Sequence, residues 1–139
     1  MSEPPPFSPT IALLTVSRVW DAALAKELKA LGLTSRKYGL LGHIRGTPGI
    51  SFSELARRSR ITVQSAHAAV AGFVQAGLVE DDTAHAGSAS ALRVTADGDA
   101  LLARAAAVVD GLDESFTAQH PGLTDALRAY VTEMMASRP

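Results

Sequence analysis

Residues 51–79 read SFSELARRSRITVQSAHAAVAGFVQAGLV, two short helical segments joined by a tight break. Ser51 is a cap residue, and Glu54 three places on completes an S-x-x-E capping box. In that box the serine side chain accepts the Glu54 N–H and the glutamate reaches back to the cap. Leu55 and Ala56 supply an apolar side, while Arg57 and Arg58 point elsewhere. Ser59-Arg60-Ile61 is a short polar break with one apolar plug. Thr62 then caps a second helix that Gly77 terminates, because glycine enters the left-handed conformation without a steric penalty. A short helix, a tight turn and a second helix are the parts that set one helix into a DNA major groove.

Outward from this stretch the punctuation is regular. Ser8-Pro9 opens a first helix that runs to about Leu31 and stops at Gly32; Ile11, Leu14, Val19, Leu24 and Leu28 are its apolar positions. Thr34 caps a second helix carrying Tyr38, Leu40, Leu41 and Ile44, closed by Gly46 and Pro48. Ile50 is a one-residue strand candidate. Residues 78–81 and 91–94 read as two short strands around a Gly-, Ser- and Ala-rich turn. Thr95 caps a long helix through Phe116, His120-Pro121-Gly122 breaks it, and Thr124 is expected to cap a final helix. The fold class is therefore mainly α with a small β-hairpin wing: a winged helix-turn-helix flanked by helices at both ends. The expected organisation is an arm over residues 1–7, flanking helices over 8–33 and 99–139, and the winged region over 34–98.

The chain has 139 residues, 47% of them apolar, which suits one domain with a real core. It has no cysteine, so disulfides, thiolate chemistry and cysteine-ligated zinc are excluded. The proline-rich start lacks the basic and apolar regions of a signal peptide. Polar residues Gln64, Ser65, His67 and Gln75 interrupt the uncharged run over 61–79, so it is too polar to span a bilayer. A cytoplasmic protein with no membrane partner is expected. Net charge is −1, but six basic residues (Arg36, Lys37, Arg45, Arg57, Arg58, Arg60) face only Glu54 between positions 36 and 60, a local +5. Such a patch ahead of a recognition helix is an electrostatic footprint for phosphates. The histidines at 43, 67, 85 and 120 never pair at i, i+3 or i+4, so no metal site is expected and no cofactor is implied. Nothing resembles a nucleophile–base pair or a phosphate loop, so no enzyme is expected.

The ordered set Leu33-Thr34, Pro48-Gly49, Ser53-Glu54-Leu55-Ala56, Ile61-Thr62, Gly77-Leu78-Val79 and Val94-Thr95-Ala96-Asp97-Gly98 resembles the MarR family of bacterial transcription regulators. The resemblance runs from Ser8 to the C-terminus. It implies a homodimer held by the first and the last two helices, and double-stranded DNA as partner. It further implies a small aromatic or anionic effector in a cleft between dimer region and wing domain, for which Arg18, Trp20, Tyr38 and His43 are the candidates. Core packing explains Trp20 equally well, and His43 is expected to be a satisfied buried histidine. Exposed apolar residues on the terminal helices (Leu13, Leu14, Val108, Leu112, Phe116, Met134, Met135) agree with a dimer.

Phosphate anchoring is assigned to Arg36, Lys37, Arg57, Arg58 and Arg60. Base reading is assigned to Thr62, Gln64, Ser65 and His67, with Gln64 suited to adenine and Ala68 or Ala71 to a thymine methyl. Two departures from the family stand out. Ala68 replaces a frequent arginine or lysine, and the wing residues His85, Ala86, Gly87 and Ser88 lack the usual arginine, leaving His85 as the wing candidate. The expected function is a regulator, most often a repressor, on a pseudo-palindromic operator. The alternative is a DNA-incompetent ligand-binding or protein-interaction dimer.

Overall fold

The computed structural model of the chain describes residues 3–82 and 91–137. In order they form α1 (Pro9–Lys29), α2 (Ser35–Gly46), α3 (Phe52–Ser59), α4 (Val63–Gln75), β1 (Val79–Asp81), β2 (Leu92–Val94), α5 (Ala96–Gln119) and α6 (Pro121–Ala136). The chain divides into two compact units, Met1–Ala105 and Ala106–Pro139.

In the first unit the side-chain caps sit where the sequence puts them. Ser8 accepts the Ile11 N–H, Thr34 that of Lys37, Ser51 that of Glu54 and Thr62 that of Ser65, each relieving one orphan donor of a first turn. Gly77, at φ +76°, turns the chain out of α4 and into β1. The strands pair antiparallel, Val79 opposite Val94 and Asp81 opposite Leu92. Ile50 joins them through a single bridge to Leu92, and the Gly49 N–H donates to the Leu92 carbonyl at 2.9 Å.

The core lies under the helix-turn-helix. Leu40, Leu41 and Ile44 of α2 meet Leu55 of α3, Val70 and Phe73 of α4, and Leu92 of β2, all buried. Each such side chain contributes about 1.5–3 kcal/mol of transfer free energy. With α3 and α4 packed on one another over this floor, α4 turns Ala66, Val70 and Phe73 inward and keeps Gln64, Ala68, Ala71 and Gln75 exposed, as its periodicity predicts.

Two expectations need correction. His43 is only half-buried, and no polar or charged residue is buried among the described residues. Thr124 does not cap α6. That helix begins at Pro121, whose fixed φ and missing N–H suit the first position, and the Thr124 hydroxyl lies inside the first turn, donating to the His120 carbonyl at 3.0 Å. On α1, of the five apolar positions only Leu28 is buried, while Ile11, Leu14 and Val19 are exposed, in keeping with the apolar surface expected on the terminal helices.

The second unit comprises the end of α5 and α6. Helix α6 has no buried residue. Its Leu123, Leu127, Tyr130, Val131 and Met134 are exposed at the i, i+4, i+7, i+8 and i+11 spacing of one helical face.

Candidate nucleic-acid interface

Helix α3 carries the arginines, and its geometry differs from a plain capping box. Ser51 makes its half, but the Glu54 carboxylate turns forward along the helix. Arg57 donates from Nε to Oε2 at 3.0 Å and from Nη2 to Oε1, and Arg58 donates from Nε to Oε1 at 2.8 Å. Positions i+3 and i+4 share one face of a helix, so a single carboxylate reaches both guanidinium groups. Arg58 also donates from Nη1 to the Thr47 hydroxyl at 2.8 Å, tying α3 to the loop that precedes it. The i, i+3 and i+4 spacing is written in the sequence, where the S-x-x-E pattern competes with it for the same glutamate.

Hydrogen bonds from Arg57, then Arg58, hold the Glu54 carboxyl down at a pKa of about 2, against an ordinary 4.5. The same bond raises the Arg57 pKa. Because the folded value is depressed, the stabilisation is fully present above about pH 4.5 and is lost as pH falls toward 2. Glu54→Gln is therefore expected to be less stable than wild type at pH 7, with the gap closing between those two values. Urea titrations at a series of pH values check this, and a gap that stays constant down to pH 2 would refute it.

Three of the six clustered cations are thus engaged. Besides Arg57 and Arg58, the Arg45 Nε lies 3.3 Å from Asp99 Oδ1. Arg36 and Lys37 are exposed on the first turn of α2, and neither they nor Arg60 enter an ion pair among the described residues. Arg60 ends α3 at φ 56°, ψ 44°, in the left-handed region, with its N–H on the Ala56 and Arg57 carbonyls. It is the only non-glycine residue with positive φ among the described residues, a conformation that costs a side-chain-bearing residue about 1 kcal/mol or more.

The structure separates the base-reading candidates. Thr62 and Ser65 turn to one another: the Thr62 hydroxyl accepts the Ser65 N–H at 3.0 Å and donates to the Ser65 hydroxyl at 2.9 Å. The His67 ring stacks on Phe52, with centroids 3.8 Å apart and planes 19° from parallel. Gln64 stays on the open face of α4. In the wing, the Asp82 N–H donates to the Ala91 carbonyl at 3.2 Å. His85 and its neighbours Ala86, Gly87 and Ser88 lie outside the described residues.

The four effector candidates occupy α1 and α2. Arg18 is exposed, Trp20 and His43 are half-buried, and Tyr38 packs against the core. None of them lines one depression of the first unit. That space, about 300 Å³, is bounded by Ile44, Arg45, Pro48, Arg93, Val94 and Asp99 at the root of the wing. No group of three or more metal-ligating side chains gathers among the described residues, and no helix there is long and apolar enough to cross a membrane.

A capped short helix, a left-handed turn, an exposed second helix and a two-stranded wing define a winged helix-turn-helix protein. Residues 31–86 match the model of the MarR family. The HTH-type transcriptional repressor Rv2887 of Mycobacterium tuberculosis is 32% identical over 102 residues, 73% of each chain. The solved structure of Rv2887 in complex with DNA superposes with a TM-score of 0.76 at 26% identity, covering 95% of this chain and 100% of that one. For the Rv2887 complex with salicylic acid the TM-score is 0.72 at 26% identity, over 94% and 98%. The chain belongs to the MarR family, a family of DNA-binding transcription regulators and not of enzymes.

Proposed function

We propose that the chain is a homodimeric repressor that binds a pseudo-palindromic duplex and is released by a small aromatic or anionic effector, acting in the cytoplasm. The observation that carries this reading is the junction of α3 and α4. There Arg60 holds a strained backbone conformation at the turn, Arg57 projects with 72% of its side chain exposed, and the outward face of α4 is open beside them. Strain kept at a charged turn fits a phosphate contact better than a need of the fold, since glycine would fit there without penalty. Arg36 and Lys37 extend the cationic surface.

The exposed stripe on α6 and the open residues of α1 support self-association, because apolar surface on that scale is seldom left in water. In such a dimer two α4 helices would enter successive major grooves about 34 Å apart. An effector that favours a different spacing would then lower DNA affinity by population shift. That Rv2887 has been solved with both DNA and salicylic acid supports both halves of the proposal.

Sedimentation at micromolar concentration is expected to give about twice the 14.5 kDa chain mass. A monomer would remove the dimer and the palindrome together. Anisotropy titration against the duplex upstream of the chain's own gene is expected to show preference over scrambled sequence, with salicylate releasing the complex and shifting Trp20 fluorescence. Equal, weak binding to both duplexes would overturn the repressor reading in favour of a DNA-incompetent interaction dimer.

A further inference from the structure

From Ile61 to Val79 the chain carries no Asp, Glu, Lys or Arg. At 100° per residue Gln64, Ala68, Ala71 and Gln75 fall within about 60° of one another, forming the exposed stripe of α4. Of the polar groups flanking this stripe, Thr62 and Ser65 bond to one another, and the His67 ring lies on Phe52 while remaining exposed. The stripe itself presents two side-chain amides separated by two methyl groups.

That inventory discriminates among base pairs. Guanine is most often read by an arginine or lysine on O6 and N7, and α4 has neither. Adenine offers N7 as acceptor and N6 as donor, the pattern a glutamine amide matches bidentately. Thymine alone carries a C5-methyl group in the major groove, and an alanine methyl is its natural contact. Alanine is also short. A helix whose outward face is Ala68 and Ala71 can lie closer to the floor of a groove about 12 Å wide than one bearing long cations.

We infer that this protein reads A·T pairs through α4, with Ala68 and Ala71 packed on thymine methyls and Gln64 on an adenine, so that thymine C5-methyl groups are the principal determinant of its sequence specificity. The inference rests on the DNA-binding reading proposed above. Affinity then has two separate sources: arginines on α3 and its turn for phosphates of any sequence, and uncharged groups on α4 for bases. The salt dependence should follow the first source, and sequence preference the second.

The test begins with a pool of random-sequence duplexes, from which the bound fraction is amplified and sequenced. The best duplex is then made with thymine and, separately, with uracil, which lacks only the methyl. The selected half-sites are expected to be A·T-rich where α4 docks. The uracil duplex is expected to bind about fourfold more weakly for each methyl that α4 touches, the worth of one buried methyl-sized group, with an unchanged salt slope. In the variant joining Ala68→Gly and Ala71→Gly, the thymine-to-uracil affinity ratio should fall to about one. This ratio does not respond to a general loss of affinity or of folded protein. Half-sites centred on G·C, or equal binding of the two duplexes by wild type, would overturn the inference and leave the DNA-binding reading standing. A pool in which no sequence is enriched would overturn both.

Discussion

A methyl group added at position 98 is expected to cost about 3 kcal/mol of folding free energy and to lower the melting temperature by about 10 °C. A Cβ there would overlap the Leu78 carbonyl oxygen and sit 2.5 Å from Val94 Cγ1. Neither neighbour can withdraw cheaply. The Leu78 oxygen accepts the Thr95 N–H at 3.0 Å, and the Thr95 hydroxyl donates to the Gly77 carbonyl at 2.6 Å while accepting the Gly98 N–H at 3.1 Å. The α4–β1 turn is thereby clamped to the start of α5, and relieving the clash means breaking the clamp. Gly42→Ala in α2 is the control. Its Cβ would meet nothing within 4 Å, so the variant is expected to match wild type or gain about 0.5–1 kcal/mol. Thermal or urea unfolding of the two variants checks the pair. A Gly98→Ala protein that melts with wild type would mean that the close approach does not exist.

Removing the cations of α3 and its turn is expected to weaken binding to every duplex by about 10- to 100-fold. The plot of log K against log salt should also flatten, by about 0.9 for each phosphate that is no longer neutralised. The ion pairs rank the arginines. Arg58 is held by both Glu54 and Thr47, so Arg58→Ala is expected to act partly through stability. Arg57 is the more exposed partner of Glu54 and can exchange that carboxylate for a phosphate. Arg60→Gly is the most diagnostic change. It removes the charge while relieving the left-handed backbone, so it should hold or raise stability by about 1 kcal/mol and still lose affinity. Glu54→Gln should have the opposite effect on binding, since it releases two guanidinium groups from a competing anion. Anisotropy titrations at several salt concentrations, with unfolding curves for each variant, separate these outcomes. Slopes and affinities identical to wild type in Arg57→Ala and Arg60→Gly would remove this surface from the interface.

By itself the sequence determined the helices of the first unit and the two wing strands. Those features are local: a Ser or Thr hydroxyl facing an N–H three residues on, a glycine free to take positive φ, and an apolar period of 3.6 along α4. Each acts over one or two turns and is written in consecutive residues. The sequence also marked the outward residues of α4, because helical periodicity assigns a face whatever lies beneath it. Where two local solutions competed it was less decisive, and Pro121 took the start of α6 from Thr124 because a proline needs the first turn while a threonine fits inside it.

Tertiary structure decided which polar groups remain available. Glu54 had a backbone N–H and two arginines within reach, and only the folded arrangement, with Thr47 of the preceding loop on Arg58, shows that the arginines took it. His67 reads as flanking the outward face and stays exposed, but its ring stacks on Phe52, a residue fifteen positions earlier that α3 presents. Gly98 stands in the sequence as a motif glycine. Its reason lies in Leu78 and Val94, brought against it by the turn that follows α4. Such contacts join residues distant along the chain, and their outcome depends on the packing of whole elements, which no local spacing encodes.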